Sequence, residues 1–463
     1  MPFHLQKSEL EKLGASKLAD SLLQLAASNE SAMKTVERLL ATPAENLKRC
    51  KAMLSGLKRR RKFVDWRESS AFAAELESLL LDIQASVTEA KEGVKLVGSF
   101  YQADHSVFNC ADDSSGHIGD VFRYSAQQLF RTFAQDCSDK PWVGKYMLKL
   151  VEEDDFGIRD SVIEIAGACL PEAVLREMIQ KLQKTAASQT DSSITRHALS
   201  HASNLAKQLK DAPLFDELIH ADWRKTCAGR EDSDRHHPDV LPVGRTLQIA
   251  QVYFQSGDPE SALNRLNKIP ADESFMRREM DELALQIHRQ MGHQPELETI
   301  TGRHFRESPS VGHLAALIEV IGENQRPKIV AEATQAILNN PTFSSGAAEF
   351  LLDVGELQAA SAYVRQKVDQ IDGGYYPSIR SLAEALQAHQ DHLGASIMYR
   401  ALLLSILAAG RSKAYSHGVR YLRKLDELAT SITEWEKLPD HTVFLATLRM
   451  QHGRKRSFWF KYD

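Results

Sequence analysis

A step of about 34 residues recurs from residue 244 to about residue 409, and it limits the possible folds more than any other feature of the chain. A repeat of this length cannot bury a hydrophobic face alone, so neighbouring copies stack as pairs of helices. The small residue that begins one second helix is Ala262, and the equivalent positions in later copies are Leu297, Pro327, Ala360 and Ala395, spaced 35, 30, 33 and 35 residues apart. The sequence therefore predicts a stack of five helix pairs in the second half of the chain.

The clearest copy spans residues 248–269 and resembles a tetratricopeptide repeat. In that motif a small residue lets the two helices approach, an aromatic residue fills the gap between pairs, and a glycine makes the turn. Ala262 and Gly257 supply the small residue and the turn here, and Tyr253 is one of two adjacent aromatic residues. Turn glycines are also expected in three later copies, at Gly292, Gly322 and Gly355.

Apolar residues recur at helical spacing along most of the chain, whereas the alternation typical of strands is almost absent. We therefore predict an all-α protein, an elongated α-solenoid of helix pairs preceded by an N-terminal helical bundle or solenoid. Residues 230–243 lie in a stretch rich in charge, histidine and proline and form the predicted linker. The other predicted domains are residues 1–229 (N-terminal helices), 244–410 (tetratricopeptide-like repeats) and 411–463 (a helical cap with a basic tail).

Composition gives an expectation about location. No run of about 18 apolar residues occurs, and residues 1–7 lack the apolar stretch of a signal peptide. The five cysteines are an odd number without a CxxC pair, which fits a reducing compartment. We therefore expect a cytoplasmic protein that does not bind membranes.

Two clusters of cations each run into an aromatic residue. Residues 48–62 hold eight Lys or Arg and no acid, and residues 449–461 end the chain in a similar way. In one interpretation aromatic side chains stack on bases and cations contact phosphates, the candidates being Arg59, Arg60, Arg61, Arg454, Lys455 and Arg456. In the other, the cations complement helix dipoles and the aromatic residues anchor the chain. A net charge of −5 argues against a general nucleic-acid coat but leaves room for a local basic patch.

Four segments together resemble an uncharacterised bacterial family of all-helical proteins that is defined as a domain of unknown function. These segments are residues 57–68, 106–122, 155–160 and 453–459. Residues 421–425 and the basic tail are also similar to the helical regions that follow SWIM zinc fingers. The finger itself is absent because the cysteines lack its paired spacing. The resemblance implies a helical fold and brings no established activity.

Two histidine pairs have a spacing or a setting that could suit a metal ion. His197 and His201 are four residues apart, so they would share one helix face, but no acid accompanies them in an HExxH pattern. Structural histidines on a half-exposed helix are the favoured interpretation. His236 and His237 lie beside aspartates in the predicted linker and are interpreted as solvated loop residues. No metal site is predicted from either pair.

The segment 112–120 superficially resembles a calcium-binding loop. Ala111 and Phe122 occupy the first and last ligand positions, where oxygen ligands are needed, so the calcium interpretation fails. A turn in which Asp112 or Ser114 caps the next helix is favoured instead. The sequence also lacks the glycine-rich phosphate loops and the nucleophile elbow. We therefore predict no catalytic residue, no metal and no cofactor.

These observations predict a non-enzymatic scaffold that binds an unknown protein or peptide on the concave face of its repeats. The first helices of the pairs are expected to line that face, with the candidate groove residues Gln248, Gln251, Tyr253, Gln286, His288 and Arg289. An alternative for Tyr253 and His288 is simple packing between pairs. The competing function is association with nucleic acid through the basic patches at residues 48–62 and 449–461.

Overall fold

The computed structural model describes residues 10–29, 32–33, 36–37, 40–154, 156–228 and 238–463. Every regular element within these residues is helical, which confirms the predicted all-α fold class. Extended backbone pairs there only in an isolated parallel bridge between Val64 and Ala111. No helix in these ranges is long and apolar enough to cross a membrane.

The chain divides into two compact units, one ending at Met280 and one running from Asp281 to Asp463. Each unit contains its own cluster of buried apolar side chains. The domain division predicted from the sequence stays a prediction, and residues 229–237 of it lie outside the described residues.

The first unit is built from consecutive α-helices, with one π-helical turn (Val121–Ala126) that joins two of them. In chain order the helices are α1 (Ala15–Ser28), α2 (Pro43–Leu57), α3 (Ser69–Ser86), α4 (Ala90–Tyr101), α5 (Asp104–Asn109), α6 (His117–Asp120), α7 (Gln127–Asp136), α8 (Lys140–Glu152), α9 (Asp160–Glu164), α10 (Ala166–Cys169), α11 (Glu172–Ser188), α12 (Ser192–Gln208), α13 (Ala212–Ala228), α14 (Val243–Gln255) and α15 (Pro259–Leu266).

Local sequence signals explain where several of these helices begin. At the start of α2 the Thr42 hydroxyl accepts a hydrogen bond from the Glu45 amide, and the Glu45 carboxylate accepts one from the Thr42 amide. Pro43 occupies the first helical position. At α8 and α12 the cap is a single aspartate: the carboxylate of Asp139 accepts from one backbone amide of the first turn, and that of Asp191 accepts from two. These caps satisfy backbone amides that have no partner inside the helix.

Aromatic side chains fill the centre of the first unit. Phe100, Tyr101, Phe122 and Phe130 are fully buried, and the ring centres of Phe100 and Phe122 are 4.5 Å apart. The Tyr101 hydroxyl donates to the Phe122 carbonyl over 2.9 Å, inside the π-helical turn. A buried phenol is thus satisfied by a backbone oxygen, and burial raises the pKa of Tyr101.

The second unit continues the succession of helix pairs. The boundary between the units falls within α16 (Arg277–Met291), which is followed by α17 (Gln294–Glu307), α18 (Val311–Ile321), α19 (Arg326–Asn339), α20 (Ser345–Asp353), α21 (Leu357–Gln366), α22 (Tyr376–Ala388), α23 (His392–Ala408), α24 (Tyr415–Ala429), α25 (His441–His452) and α26 (Arg456–Tyr462). Three short 3₁₀ turns also occur, at Glu323–Gln325, Val368–Gln370 and Ser412–Ala414.

Helix pairs in the second unit stack in order. Helix α20 contacts its partner α21 and the next first helix α22, while the second helix α21 contacts α19 before it and α23 after it. Ala360 and Ala395, the predicted small residues of two second helices, are completely buried. Successive pairs therefore pack first helix on first helix and second on second, as expected for a solenoid-like fold.

Turn glycines occupy the predicted positions within the pairs. Gly257, Gly292, Gly322 and Gly355 have φ of +88°, +72°, +96° and +86°. Residues with a Cβ adopt this left-handed region only at a cost, whereas glycine adopts it readily. These glycines let the chain reverse within two to four residues, and they set where each second helix starts.

Candidate functional site

The candidate groove residues on α14 differ in their exposure to solvent. Gln248 and Gln251 are exposed, whereas Tyr253 is half-buried. The Tyr253 hydroxyl donates to the carboxylate of Asp216 on α13 over 3.3 Å, and Arg265 pairs with the same buried carboxylate. Burial, followed by the charge of Asp216, raises the pKa of Tyr253. Tyr253 therefore contacts its own unit, while the two glutamines face solvent.

Helix α16 shows the same division. Gln286 and Arg289 are exposed, and Arg289 lies 3.8 Å from the Glu319 carboxylate. His288 is buried, and its Nδ1 lies 3.2 Å from Nδ1 of His293 in the turn that follows. The six candidate groove residues thus comprise four exposed side chains and two that contact neighbouring side chains inside the fold.

The second unit contains a cavity of about 500 Å³. Its walls come from five consecutive helices, α17 to α21, and eight of the fifteen residues that line it have apolar side chains: Phe305, Pro309, Leu317, Ile329, Ala333, Ala336, Ile337 and Ala347. This volume lies in the range of small-ligand pockets and is large enough for one or two side chains of a partner. None of the six candidate groove residues lines it.

Tyr363 forms one wall of the cavity and is fixed there. Its hydroxyl donates to the Thr342 carbonyl over 3.0 Å and accepts from the Ser344 amide at 2.9 Å. Its ring stacks on Phe343 with 5.6 Å between ring centres. Burial raises the pKa of Tyr363, so the phenol stays neutral at physiological pH. Because these contacts fix the Tyr363 ring, this wall of the cavity is pre-formed, which lowers the entropic cost of binding a partner.

Charged side chains of both signs lie at the edge of the cavity. Arg306 and Glu307 end α17, and Glu332 lies on α19. All three are exposed. The lining contains no histidine or cysteine beside these groups. An apolar interior with a mixed-charge rim is suited to holding an apolar side chain of a partner.

The first basic cluster is attached to the body of its unit. Arg59 donates to the carbonyl and the hydroxyl of Ser55. The guanidinium of Arg60 lies 4.1 Å from the centre of the Phe72 ring. Arg61 is exposed. Two of the three predicted phosphate contacts therefore also have contacts within the protein, and Arg61 extends into solvent.

Exposed aromatic rings lie beside this cluster. Phe63 is 60% exposed and Trp66 is 54% exposed, and the Arg67 guanidinium lies 5.1 Å from the Trp66 ring centre. Lys62 is also exposed. We call the surface formed by Arg61, Lys62, Phe63, Trp66 and Arg67 the aromatic-basic patch. It combines groups that can stack on bases with groups that can contact phosphates.

The second basic cluster is built differently. Trp459 is buried, and its Nε1 donates to the His452 carbonyl over 3.0 Å. The Arg449 guanidinium lies 4.3 Å from the same ring. Phe458 is also fully buried. At this end of the chain Phe458 and Trp459 anchor the last helix, whereas Phe460 is 89% exposed. The cations beside them are the exposed Arg454 and Arg456 and the half-buried Lys455.

The histidine pairs considered from the sequence have ordinary contacts where they are described. His197 and His201 stack with 6.1 Å between ring centres, and Nε2 of His201 lies 2.7 Å from the Asp160 carboxylate. That carboxylate contact gives His201 a structural role in joining α12 to α9. His236 and His237 lie outside the described residues.

The turn that resembles a calcium loop is a capping turn, with a different capping residue from the two expected. Asp113 accepts from the amides of Ile118 and Gly119, both at 2.8 Å, at the start of α6. Asp112 instead accepts from the Ser114 amide within the turn, which lowers the pKa of Asp112. The sequence pattern identified the turn, but which of two adjacent aspartates points at the helix depends on the backbone path.

Three of the segments that carry the family resemblance meet inside the first unit. The Val64 amide donates to the Cys110 carbonyl over 2.8 Å. The Phe108 ring lies 5.4 Å from Phe122 and 5.5 Å from Phe156. Residues 57–68, 106–122 and 156–160 are thereby joined, and their contacts stabilise the fold of this unit.

The cavity was missed at the level of the sequence, although a signal was present. Ile329, Ala333 and Ala336 follow helical spacing on α19, a second helix, whereas the groove was expected on first helices. Sequence spacing alone does not show which side of a helix pair opens to solvent.

The sequence matches, over residues 3–461, a family described as "Family of unknown function (DUF6880)". A search of the curated proteins gives no match to the chain.

Proposed function

The chain belongs to the DUF6880 family of unknown function, and from that premise we propose that it is a non-enzymatic scaffold in the bacterial cytoplasm that binds another protein. Its repeats are of the tetratricopeptide type, and the partner inserts an apolar side chain from a peptide or helix into the cavity of the second unit. The observation that carries this proposal is the cavity of about 500 Å³ with apolar walls from five successive helices. Stacked helix pairs commonly serve as platforms for such partners.

The exposed residues of α14 and α16 extend this role. Gln248, Gln251 and Gln286 lie on first helices and face solvent, so they suit hydrogen bonds to the backbone of an extended partner. In this proposal the cavity supplies the central apolar anchor, and Gln286 and Arg289 of the same unit supply polar contacts to the partner. Binding energy at interfaces is usually concentrated in such an anchor.

A matched pair of substitutions on one helix tests the cavity. Ala336 lines the cavity and Ala331 does not, although both are exposed alanines of α19. Random peptides displayed on phage are selected against the full chain, and the affinity of the enriched peptides is measured by fluorescence anisotropy. Ala336→Arg should weaken binding at least about tenfold, because the arginine fills the anchor site. Ala331→Arg should leave the affinity unchanged. Selected peptides that bind Ala336→Arg as tightly as the unmodified chain would contradict the proposal.

The aromatic-basic patch favours a second candidate function, the binding of single-stranded nucleic acid. Phe63 and Trp66 are each more than half exposed next to Arg61, Lys62 and Arg67. Stacking on such rings does not depend strongly on sequence. The phosphate contacts of the cations should make binding weaken steeply as salt rises.

Anisotropy of a labelled oligothymidine of about 20 nucleotides tests this second function. Trp66→Ala should weaken binding by about 1–3 kcal/mol, the usual contribution of one stacked base. Lys62→Glu should reduce the salt dependence as well as the affinity. Tyr375→Ala, which removes another exposed aromatic residue, is the control. Absence of salt-sensitive binding to the unmodified chain would remove nucleic acid as a function of this patch.

A further inference from the structure

The turn between α16 and α17 brings together three side chains that can bind a metal. They are His288 in the last turns of α16, His293 immediately before α17, and Glu296 in the first turn of α17. One ligand atom from each lies within 4.8 Å of the other two. His288 is buried, His293 is half-buried and Glu296 is exposed, so the group opens to solvent on one side.

The backbone geometry of the turn explains why the two histidines meet. Gly292 has φ of +72°, the His293 amide donates to the His288 carbonyl over 3.0 Å, and the Gly292 amide donates to the Arg289 carbonyl. This is the hydrogen-bond pattern of a Schellman motif, in which the residue after the glycine comes back against the last turns of the helix. The contact at this place is usually between apolar side chains, and here it is between two imidazoles.

The same turn in other helix pairs shows what is different here. Asp211, Asp258 and Asp391 occupy the position of His293 in three equivalent turns, and each donates its backbone amide five residues back. Each of these carboxylates also caps the following helix, through the amides of Leu214, Ser261 and Gly394. His293 makes no such side-chain cap, and neither does Glu356 in a fourth turn of this kind. The His293 side chain therefore lacks the capping role of the aspartates and faces His288 instead.

The distance between the imidazoles suits a shared ion. Their Nδ1 atoms are 3.2 Å apart. Zinc binds histidine nitrogens at about 2.0–2.1 Å, so two nitrogens on one tetrahedral ion lie about 3.3 Å apart.

We propose that His288, His293 and Glu296 bind one divalent transition-metal ion of the zinc class. Two imidazole nitrogens and one carboxylate oxygen are a donor set that zinc uses in proteins when a fourth position is left for water or another ligand. The exposed side of Glu296 supplies the access for that fourth ligand. The site is independent of the cavity and of the aromatic-basic patch.

Calorimetric titration of Zn²⁺ into the chelator-treated full chain tests the site. His293→Asn removes one ligand and inserts a residue that caps helices well, so the fold is retained. We expect this variant to bind one ion fewer than the unmodified chain, or to bind it at least about a hundredfold more weakly. Asp258→Asn makes a carboxylate-to-amide change at the equivalent position of another pair and should leave zinc binding unchanged.

Cobalt spectroscopy and thermal melting give two further readouts. Co²⁺ should produce the visible absorption of a tetrahedral site in the unmodified chain and in Asp258→Asn, and this absorption should be absent in His293→Asn. Zn²⁺ should raise the melting temperature of the unmodified chain and have a smaller effect on His293→Asn. Equal zinc stoichiometry and affinity in the unmodified chain and His293→Asn would overturn the proposal and leave a histidine–histidine hydrogen bond as the role of the pair.

Discussion

Arg159 shows how a single side chain joins elements that are distant in the sequence. Its Nε and Nη2 donate to the two carboxylate oxygens of Asp104 at 2.8 and 2.7 Å, and its Nη1 donates to the Leu150 carbonyl. Both charged side chains are almost fully buried, with 4% and 1% of their surface exposed. Burial alone lowers the pKa of Arg159, but the hydrogen bonds and charge of Asp104 reverse this and raise it.

Removing one partner of this buried pair should be costly. Asp104→Ala leaves the Arg159 charge buried without its carboxylate, and we expect the free energy of unfolding to fall by about 3–5 kcal/mol. Lys181→Ala breaks the exposed ion pair with Glu152 in the same unit and should cost at most about 1 kcal/mol. Urea unfolding followed by circular dichroism measures both values. If Asp104→Ala lowered the free energy of unfolding no more than Lys181→Ala does, the buried ion pair would contribute little to stability.

The thiol of Cys169 provides a second test at this scale. Its side chain is buried beside α7, and burial raises its pKa to about 11. The reactive thiolate is therefore scarce at pH 8, where an unperturbed thiol is partly ionised. We expect iodoacetamide to label Cys169 only after unfolding, whereas the half-buried Cys227 reacts in the native protein. Peptide mass spectrometry after timed labelling distinguishes the two. Native-state labelling of Cys169 at the rate of Cys227 would contradict its assigned environment.

At the scale of elements, the sequence predicted best what is decided locally. The turn glycines Gly257, Gly292, Gly322 and Gly355 were predicted because the left-handed turn needs a residue without Cβ. The π-helical turn Val121–Ala126 was not predicted, because one residue inserted into a helix leaves the apolar periodicity almost unchanged. The contact of His288 with His293 was also missed, since it depends on the path of the turn.

Two glycine substitutions in the second unit should have opposite effects. Gly355 lies in the turn after α20 and has φ of +86°, whereas Gly312 lies within α18. A Cβ added at either position would meet nothing within 4 Å. Gly355→Ala should cost about 1–2 kcal/mol, because alanine is strained in the left-handed region. Gly312→Ala should stabilise the unit by up to about 1 kcal/mol by favouring the helix. Thermal unfolding of both variants shows whether each substitution raises or lowers the stability. If both changed the stability in the same direction, the turn at Gly355 would not require a left-handed residue.

At the scale of the whole molecule, all-α pairing was predictable from the helical spacing of apolar residues, but the sites were not. The cavity needs Phe305, Ala333 and Tyr363 to meet, and these residues lie on three helices of three successive pairs. No local pattern encodes such a meeting, because it depends on the stacking angle of the pairs. The family segments likewise indicated an all-helical protein, and the structure was needed to show that three of them pack on one another in the first unit.

The stacking of helix pairs predicts which helices a destabilising core substitution should affect. Leu382 on α22 is completely buried in the second cluster of apolar side chains, and α22 contacts α20 and α23. Leu382→Ala should cost about 2–5 kcal/mol through the cavity it leaves. In a stack stabilised by nearest-neighbour contacts, the loss should loosen the adjacent pairs first.

Hydrogen exchange followed by mass spectrometry measures this spread. We expect faster exchange in peptides from α20 to α23 of Leu382→Ala, and unchanged exchange in α7 and α8, whose side chains belong to the other buried cluster. Leu404→Ala, which truncates an exposed leucine of α23, should change neither. Faster exchange throughout both units in Leu382→Ala would mean that the two cores unfold together. Exchange confined to α20–α23 would show that each pair depends on its neighbours in the stack.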